Sequence, residues 1–115
     1  MGCSATGIVK PMVQFDVYKN LHAPSAATRP YLLSVQSDLL SDLATRAMVP
    51  LALTSKYPDP ASRLMPVLKV ADQDVVMLTA DLASVSKDSL GDKVLSLSDK
   101  SETILSAIDF FLRGR

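Results

Sequence analysis

The apolar residues of this chain are grouped in short runs that prolines and polar residues interrupt, and the one long amphipathic pattern is at the C-terminal end. Short runs are typical of β-strands, whose usual length is about five or six residues. The connections between the runs are too short for the helical crossovers that parallel strands require. The sequence therefore predicts a mainly β domain, a small, partly open barrel of antiparallel strands followed by one C-terminal helix.

Six segments carry the strand pattern: 13–18, 31–35, 47–53, 67–70, 75–78 and 91–97. In the first of them Val13, Phe15 and Val17 alternate with residues that we expect to face solvent, so the strand is predicted to be half-buried. Pro50 has no amide hydrogen, and the third segment is therefore expected to bend there and to lie at a sheet edge or a bulge. The polar break at 71–74 predicts a hairpin.

Two proline-containing stretches, 21–30 and 54–66, are predicted to be loops. Between them, Ser37 and Asp38 can accept hydrogen bonds from the first amides of a brief helix, for which the following leucines have a suitable spacing.

The C-terminal segment has the strongest helical pattern, in which five apolar residues recur on one face: Ile104, Leu105, Ile108, Phe111 and Leu112. Asp99 and Glu102 resemble a capping box at its start. The helix is expected to pack on the sheet, and the width of its apolar stripe favours a two-fold homodimer, in which a second copy covers the surplus.

With 115 residues, 48% of them hydrophobic, the chain fits one compact domain, which we place at 12–115 behind a flexible extension, 1–11. Twelve basic residues balance twelve acidic residues, a composition that does not favour binding of nucleic acid or an anionic membrane. Cys3 is the single cysteine, so no internal disulfide is expected, and with one histidine it cannot build a Cys/His metal site. No apolar run is long enough to cross a bilayer, and we expect a soluble, cytoplasmic protein.

The sequence offers little that suggests catalysis. His22 lies in a Pro/Ala/Ser-rich stretch with no neighbouring carboxylate or nucleophile, and we interpret it as exposed and non-catalytic. Asp72 and Asp74 are interpreted as solvated turn residues. No P-loop, dinucleotide fingerprint or GxSxG motif is present. We therefore predict that the chain is not an enzyme and carries no cofactor or metal.

Several stretches, in collinear order over almost the whole chain, resemble one protein family. They are QFDVYKN (14–20), PYLLSVQSDLLSDLATR (30–46), MVPLA (48–52), VVMLTADLASV (75–85) and AIDFFLRG (107–114). They are similar to the CcdB toxin family, which implies a bacterial, cytoplasmic homodimer with an SH3-like barrel fold that is shared with the MazF/PemK ribonuclease toxins. The resemblance also implies a toxin that binds the A subunit of DNA gyrase, traps gyrase on cleaved DNA, and is neutralised by a CcdA-like antitoxin.

The resemblance carries two sets of binding residues onto this sequence. The implied gyrase-binding residues are Leu39, Leu40, Asp109, Arg113, Gly114 and Arg115. The implied antitoxin-binding residues are Thr54, Lys56, Tyr57, Asp59 and Arg63. In the family pattern isoleucine follows the terminal glycine, and in its best-known toxin tryptophan precedes it, whereas arginine stands on both sides of Gly114.

The substitution of arginine at both positions leaves three functions open: a gyrase poison, a degenerate homologue that binds only antitoxin, and an RNA-cleaving toxin of the same fold.

Overall fold

A computed structural model describes residues 13–40, 42–57 and 62–114, and the predicted N-terminal extension lies outside these ranges. Within them, seven strands are β1 (Asp16–Asn20), β2 (Tyr31–Ser34), β3 (Thr45–Leu53), β4 (Val67–Val70), β5 (Gln73–Met77), β6 (Ala83–Ser86) and β7 (Leu90–Ser96). The two α-helices are α1 (Ala23–Ala26) and α2 (Ser101–Arg113). Short 3₁₀ turns are found at Asp38–Leu40, Thr54–Lys56, Thr79–Asp81, Lys87–Ser89 and Ser98–Lys100.

The strands form one curled, half-barrel sheet in the order β4-β5-β3-β2-β1-β7, and β6 pairs with β3 beside β5. Every pairing is antiparallel. The predicted class, a mainly β domain of antiparallel strands with a C-terminal helix, is confirmed. None of the helices in the described ranges is long and apolar enough to span a bilayer.

Helix α2 covers one face of the sheet. Its Ile104 and Ala107 are fully buried and belong to the same core cluster as Val17, Leu33 and Val49 of the three central strands. The small side chain of Ala107 allows the helix to approach the sheet closely, and Ile104 fills the space between them. The burial of these two residues holds the helix, and with it the C-terminal end of the chain.

The opposite face of the central strands is also covered, contrary to the prediction for the first strand. Asp16 and Tyr18, which were expected to face solvent, are buried, and Tyr18 packs with Leu32 and Met48. Burial and the neighbouring Asp16 carboxylate raise the pKa of Tyr18. Arg46 lies fully buried beside this cluster. The sheet curls enough for β6 and β7 to cover side chains that a flat sheet would expose.

Pro50 does not lie at an edge or a bulge, because β3 is the central strand. Residues Thr45–Met48 pair with β6, whereas 51–53 pair with β5, and Pro50 stands between the two partners. Its carbonyl accepts a hydrogen bond from the Leu78 amide at 3.0 Å. The missing amide hydrogen therefore falls where β3 changes partners.

The hairpin of β4 and β5 is confirmed, with a tighter turn than the polar stretch suggested. Ala71 and Asp72 both have positive φ values, 50° and 66°, and β5 begins directly after them at Gln73. A two-residue turn with left-handed torsions fits the natural twist of an antiparallel pair.

The predicted capping box of α2 is wrong. The 3₁₀ turn Ser98–Lys100 leads into the helix, Lys100 occupies the cap position, and no side chain caps the helix amides there. Two further elements were missed. Helix α1 lies in a predicted loop, and the alternation in β6 covers only the four residues Ala83–Ser86, too few to predict a strand. The brief helix predicted after Ser37 is present as a 3₁₀ turn.

If Ile104 holds α2 on the sheet, Ile104→Ala should lower the free energy of unfolding by about 2–5 kcal/mol, the usual cost of a cavity in a core. Leu105→Ala, one position along and 46% exposed, should cost less than about 1 kcal/mol. Urea unfolding at one fixed protein concentration measures both. Equal losses would show that the helix is not anchored by Ile104.

Candidate functional site

The predicted apolar face of α2 is only partly used by the core. Ile104 is buried and Ile108 half-buried, but Leu105, Phe111 and Leu112 are 46%, 44% and 72% exposed. These three side chains are named here the helix stripe. Isolated exposed leucines are common, but several large apolar side chains on one short helix form a surface that a partner can cover.

Gly114 ends the helix in the left-handed conformation, with φ at 73°, and its amide donates to the Phe110 carbonyl at 2.7 Å. A side chain at this position would meet nothing within 4 Å, so the need for glycine is conformational. This αL cap fixes the direction in which the chain leaves α2. Arg115 lies outside the described residues.

Arg113 folds back along the helix onto Asp109. Its Nε donates to Oδ1 at 2.7 Å and its Nη2 to Oδ2 at 3.2 Å, which makes the pair bidentate. The hydrogen bonds from Arg113 lower the pKa of Asp109, and the Asp109 carboxylate raises the pKa of Arg113. Two of the predicted gyrase-binding residues are thus paired with each other before any partner arrives.

Arg63, from the loop before β4, reaches the same helix. Its Nε donates to the Ser106 hydroxyl at 3.2 Å, and its guanidinium lies 5.1 Å from the centre of the Phe110 ring. Beside it an open groove of about 620 Å³ is lined by Arg63, Glu102, Leu105, Ser106, Ile108, Asp109 and Leu112. The structure therefore brings Arg63, from the predicted antitoxin set, next to Asp109, from the predicted gyrase set.

The rest of the predicted antitoxin set is divided. Thr54 and Lys56 lie in the 3₁₀ turn after β3, with Lys56 exposed. Tyr57 is half-buried and packs on the cluster of Ala52, Val76 and Leu78, so only part of its side chain is open to a partner. Asp59 lies outside the described residues.

Leu39 and Leu40 occupy the 3₁₀ turn after β2, where they are 94% and 51% exposed. Leu43, just beyond it, is 50% exposed. These three side chains are named here the leucine turn. Among the described residues the leucine turn and α2 share little packing, so the predicted gyrase set is divided between two separate surfaces.

His22 is exposed, as predicted, but it stands beside a cavity that the sequence did not indicate. Its Nδ1 lies 3.0 Å from the Ser25 hydroxyl, to which the Asn20 amide also donates at 3.0 Å. The cavity, of about 360 Å³, has an apolar floor that includes Leu32 and a polar rim that includes Arg29.

The charges around this cavity are already paired. Arg29 is ion-paired with Asp81 at 2.7 Å. In the described part of the chain no group of three or more His, Cys, Asp or Glu residues could hold a metal ion. Asp74 of the hairpin pairs with Lys69 at 3.2 Å and both are exposed, in keeping with the interpretation of the hairpin carboxylates as solvated.

Comparison with known proteins settles the family. The family model described as "CcdB protein" matches residues 14–114. This chain belongs to the CcdB family. The resemblance seen in the sequence is thereby confirmed over nearly its whole length.

Two solved structures share the fold of this CcdB-family chain. One is an endoribonuclease from a mycobacterial species, with 17% identity and a TM-score of 0.70 over 91% of this chain and 94% of that one. The other is an endoribonuclease in complex with its cognate antitoxin, also mycobacterial, with 16% identity and a TM-score of 0.69 over 90% of this chain and 95% of that one. At this identity the likeness establishes the fold alone.

The pairing of Asp109 with Arg113 can be tested by titration. Because the pKa of Asp109 is lowered in the folded protein, the pair should be intact at neutral pH and lost as the pH falls through that lowered value. Arg113→Gln should raise the NMR-monitored midpoint of the Asp109 carboxyl towards that of a free aspartate. Arg63→Gln, which removes a more distant charge, should raise it less. An unchanged midpoint in Arg113→Gln would show that Arg113 does not hold the carboxylate.

Proposed function

We propose that this chain is the toxin of a type II toxin–antitoxin system, a non-enzymatic homodimer that binds the A subunit of DNA gyrase in the bacterial cytoplasm and traps gyrase on cleaved DNA. A CcdA-like antitoxin neutralises it. Membership of the CcdB family supports the class of system. The observation that carries the proposal is the exposed helix stripe. The last turn of its helix is capped by Gly114 and carries the ion pair of Arg113 with Asp109.

The helix stripe supplies the apolar part of the contact. Leu112 is the most exposed of its three side chains, at 72%, and full burial of a leucine contributes about 1.5–3 kcal/mol. Phe111 adds a rigid aromatic ring, a residue type enriched at interfaces. Gly114 ends the helix directly after these side chains.

Arg113 supplies the polar part. Arginine is enriched in interface hot spots, and its guanidinium can bind a carboxylate of the partner with two parallel hydrogen bonds. Both Arg113 and Asp109 remain partly open to solvent, and surface ion pairs of this kind contribute little to stability. Exchange of Asp109 for a carboxylate on gyrase therefore meets little resistance.

Antitoxin binding is proposed for Thr54, Lys56, Tyr57, Asp59 and Arg63, together with the groove beside α2. Arg63 and Asp109 line the same groove, so an antitoxin segment seated there covers part of the gyrase-binding surface. Neutralisation by direct competition follows from this overlap.

The purified dimer should bind the gyrase A subunit, and Leu112→Ala should weaken this binding by about tenfold or more, which corresponds to about 1.4 kcal/mol. Leu21→Ala is the matched control, because it removes an exposed leucine from another part of the molecule. Deletion of 113–115 should weaken binding as well, and the parent chain should arrest a gyrase-sensitive host with stabilised cleavage complexes.

Equal binding by the parent and the 113–115 deletion would remove the tail from the contact. A folded dimer that binds a CcdA-like antitoxin but not gyrase would identify the chain as a non-toxic homologue that only binds antitoxin.

RNA cleavage is the second candidate, and one observation favours it: His22 and Ser25 stand 3.0 Å apart at the rim of a cavity, in a fold that two endoribonucleases share. Histidine is the commonest general acid–base group. Against this candidate, Arg29 is paired with Asp81, and the chain has no net positive charge to attract RNA.

We expect the purified dimer to leave RNA intact over hours, by gel analysis of total RNA and of a folded messenger fragment. If the parent chain cleaves RNA, and if His22→Ala abolishes this cleavage while Leu112→Ala leaves it unchanged, then RNA cleavage and not gyrase binding is the function of the chain. Cleavage that persists in His22→Ala would indicate a contaminating nuclease.

A further inference from the structure

The leucine turn presents three large apolar side chains to solvent, and Leu39 is almost fully exposed, at 94%. Apolar side chains on a loose segment would fold onto the nearest apolar surface, because burial of that area is favourable. Something in the structure must therefore hold this turn away from the body of the protein. The hydrogen bonds around it show what does so.

Gln36 bridges the turn to the central strand. Its Oε1 accepts the backbone amide hydrogen of Ala47 in β3 at 3.0 Å, and its Nε2 donates to the carbonyl of Leu40 at 2.8 Å. The same Leu40 carbonyl accepts from the Leu43 amide at 3.2 Å. One side-chain amide thus connects the middle of the leucine turn to the most constrained strand of the sheet.

Arg46 supports Gln36 from inside the protein. Its side chain is fully buried, and its Nη2 donates to the Ser34 hydroxyl at 2.8 Å and to the Gln36 carbonyl at 3.3 Å. A buried guanidinium loses its hydration, so each hydrogen bond that it makes strongly constrains its partner. The backbone of Gln36 is therefore fixed by a group that solvent cannot reach.

The other side of the turn is held independently. The carboxylate of Asp38 accepts the backbone amide hydrogen of Gln14 at 2.7 Å, and the Ser37 hydroxyl accepts that of Leu39 at 3.2 Å. The turn is thus attached at Asp38 as well as at Leu40, and Gln36 provides the attachment nearest to Leu43.

We propose that Gln36, with Arg46 behind it, is a positioning residue that holds the leucine turn in the conformation in which it contacts the gyrase A subunit. This inference rests on the proposed function. Gln36 is half-buried, and both polar groups of its side chain bond the backbone of this chain, so its proposed effect on binding is indirect. A turn that is ordered before binding loses less conformational entropy in the complex, and affinity rises accordingly.

Gln36→Glu tests the bridge with a side chain of the same shape. A carboxylate oxygen still accepts from the Ala47 amide, but the second oxygen replaces the donor and faces the Leu40 carbonyl, so attraction becomes repulsion. Gln73→Glu is the matched control. It makes the same charge change at an exposed position, where the side-chain oxygen only accepts from the Tyr31 hydroxyl, at 3.2 Å, and a carboxylate retains that bond.

Hydrogen exchange of the free dimer reports the bridge without any partner. In Gln36→Glu the Leu40 and Leu43 amides should exchange about tenfold faster than in the parent, while core amides such as that of Val49 stay unchanged. In Gln73→Glu all of these amides should keep the parent rates. Unchanged rates at Leu40 and Leu43 in Gln36→Glu would overturn the proposal.

Affinity for the gyrase A subunit reports the consequence. Gln36→Glu should weaken binding by about five- to twentyfold, and it should have almost no further effect when Leu39→Ala and Leu40→Ala are already present. Full additivity with the leucine substitutions, or no loss at all, would overturn the positioning role. If the parent dimer fails to bind the gyrase A subunit, the proposed function fails, and the exchange rates alone decide whether Gln36 holds the turn.

Discussion

The register of strand β3 is the constraint on which the rest of the structure depends. β3 pairs with β2 along one edge and with β6 and β5 along the other. Its Val49 and Leu51 belong to the core under α2, while Met48 and Arg46 lie on the opposite side. A slip of one residue would exchange these sets and place the Arg46 guanidinium in the apolar core. The strand cannot move without both faces losing their packing.

The same strand also positions the two surfaces proposed for binding. Ile104 packs in the core that includes Val49 and Leu51. This packing holds α2, and therefore the helix stripe, in place. The Ala47 amide donates a hydrogen bond to the Gln36 side chain, and Gln36 in turn holds the leucine turn in place. The helix stripe and the leucine turn share little packing with each other, but both are attached to β3. This shared attachment fixes the distance between them. A partner with two matching apolar sites gains both contacts without having to order either.

The sequence predicted the elements whose signal is local. The hairpin around Asp72 and the C-terminal helix follow from residue spacing alone. The local signal of β6 covers only four residues and its conformation depends on pairing with β3, while the burial of Asp16 depends on the curl of the whole sheet. The prediction that Pro50 lies at an edge or a bulge was wrong, because whether a strand can hold a proline depends here on where β3 changes partners.

The candidate sites show the same limit. The exposure of Leu39 and Leu40 fits their assignment by resemblance, but the contact of Arg63 with Ser106 joins positions 43 residues apart, and nothing local to either residue indicates it. The link from Gln36 to Ala47 spans 11 positions. Glutamine at position 36 is equally compatible with an exposed loop, so its role becomes visible only when both hydrogen-bond partners are placed.

This chain departs from the family pattern by having arginine at position 113, next to Gly114. The pairing of Arg113 with Asp109 changes what this departure implies. An arginine in place of an aromatic anchor suggests, by sequence alone, a lost contact at the end of the helix. In the structure the guanidinium is drawn back along α2, which leaves Phe111 and Leu112 as the terminal apolar surface. Under the proposed function, attachment to gyrase then depends mainly on the helix stripe and the leucine turn, both of which are exposed. The trapping of gyrase on cleaved DNA is a separate requirement, because it needs a particular state of the enzyme to be favoured and not merely a surface to be covered. Under the proposed function, binding and poisoning are therefore separable requirements in this protein.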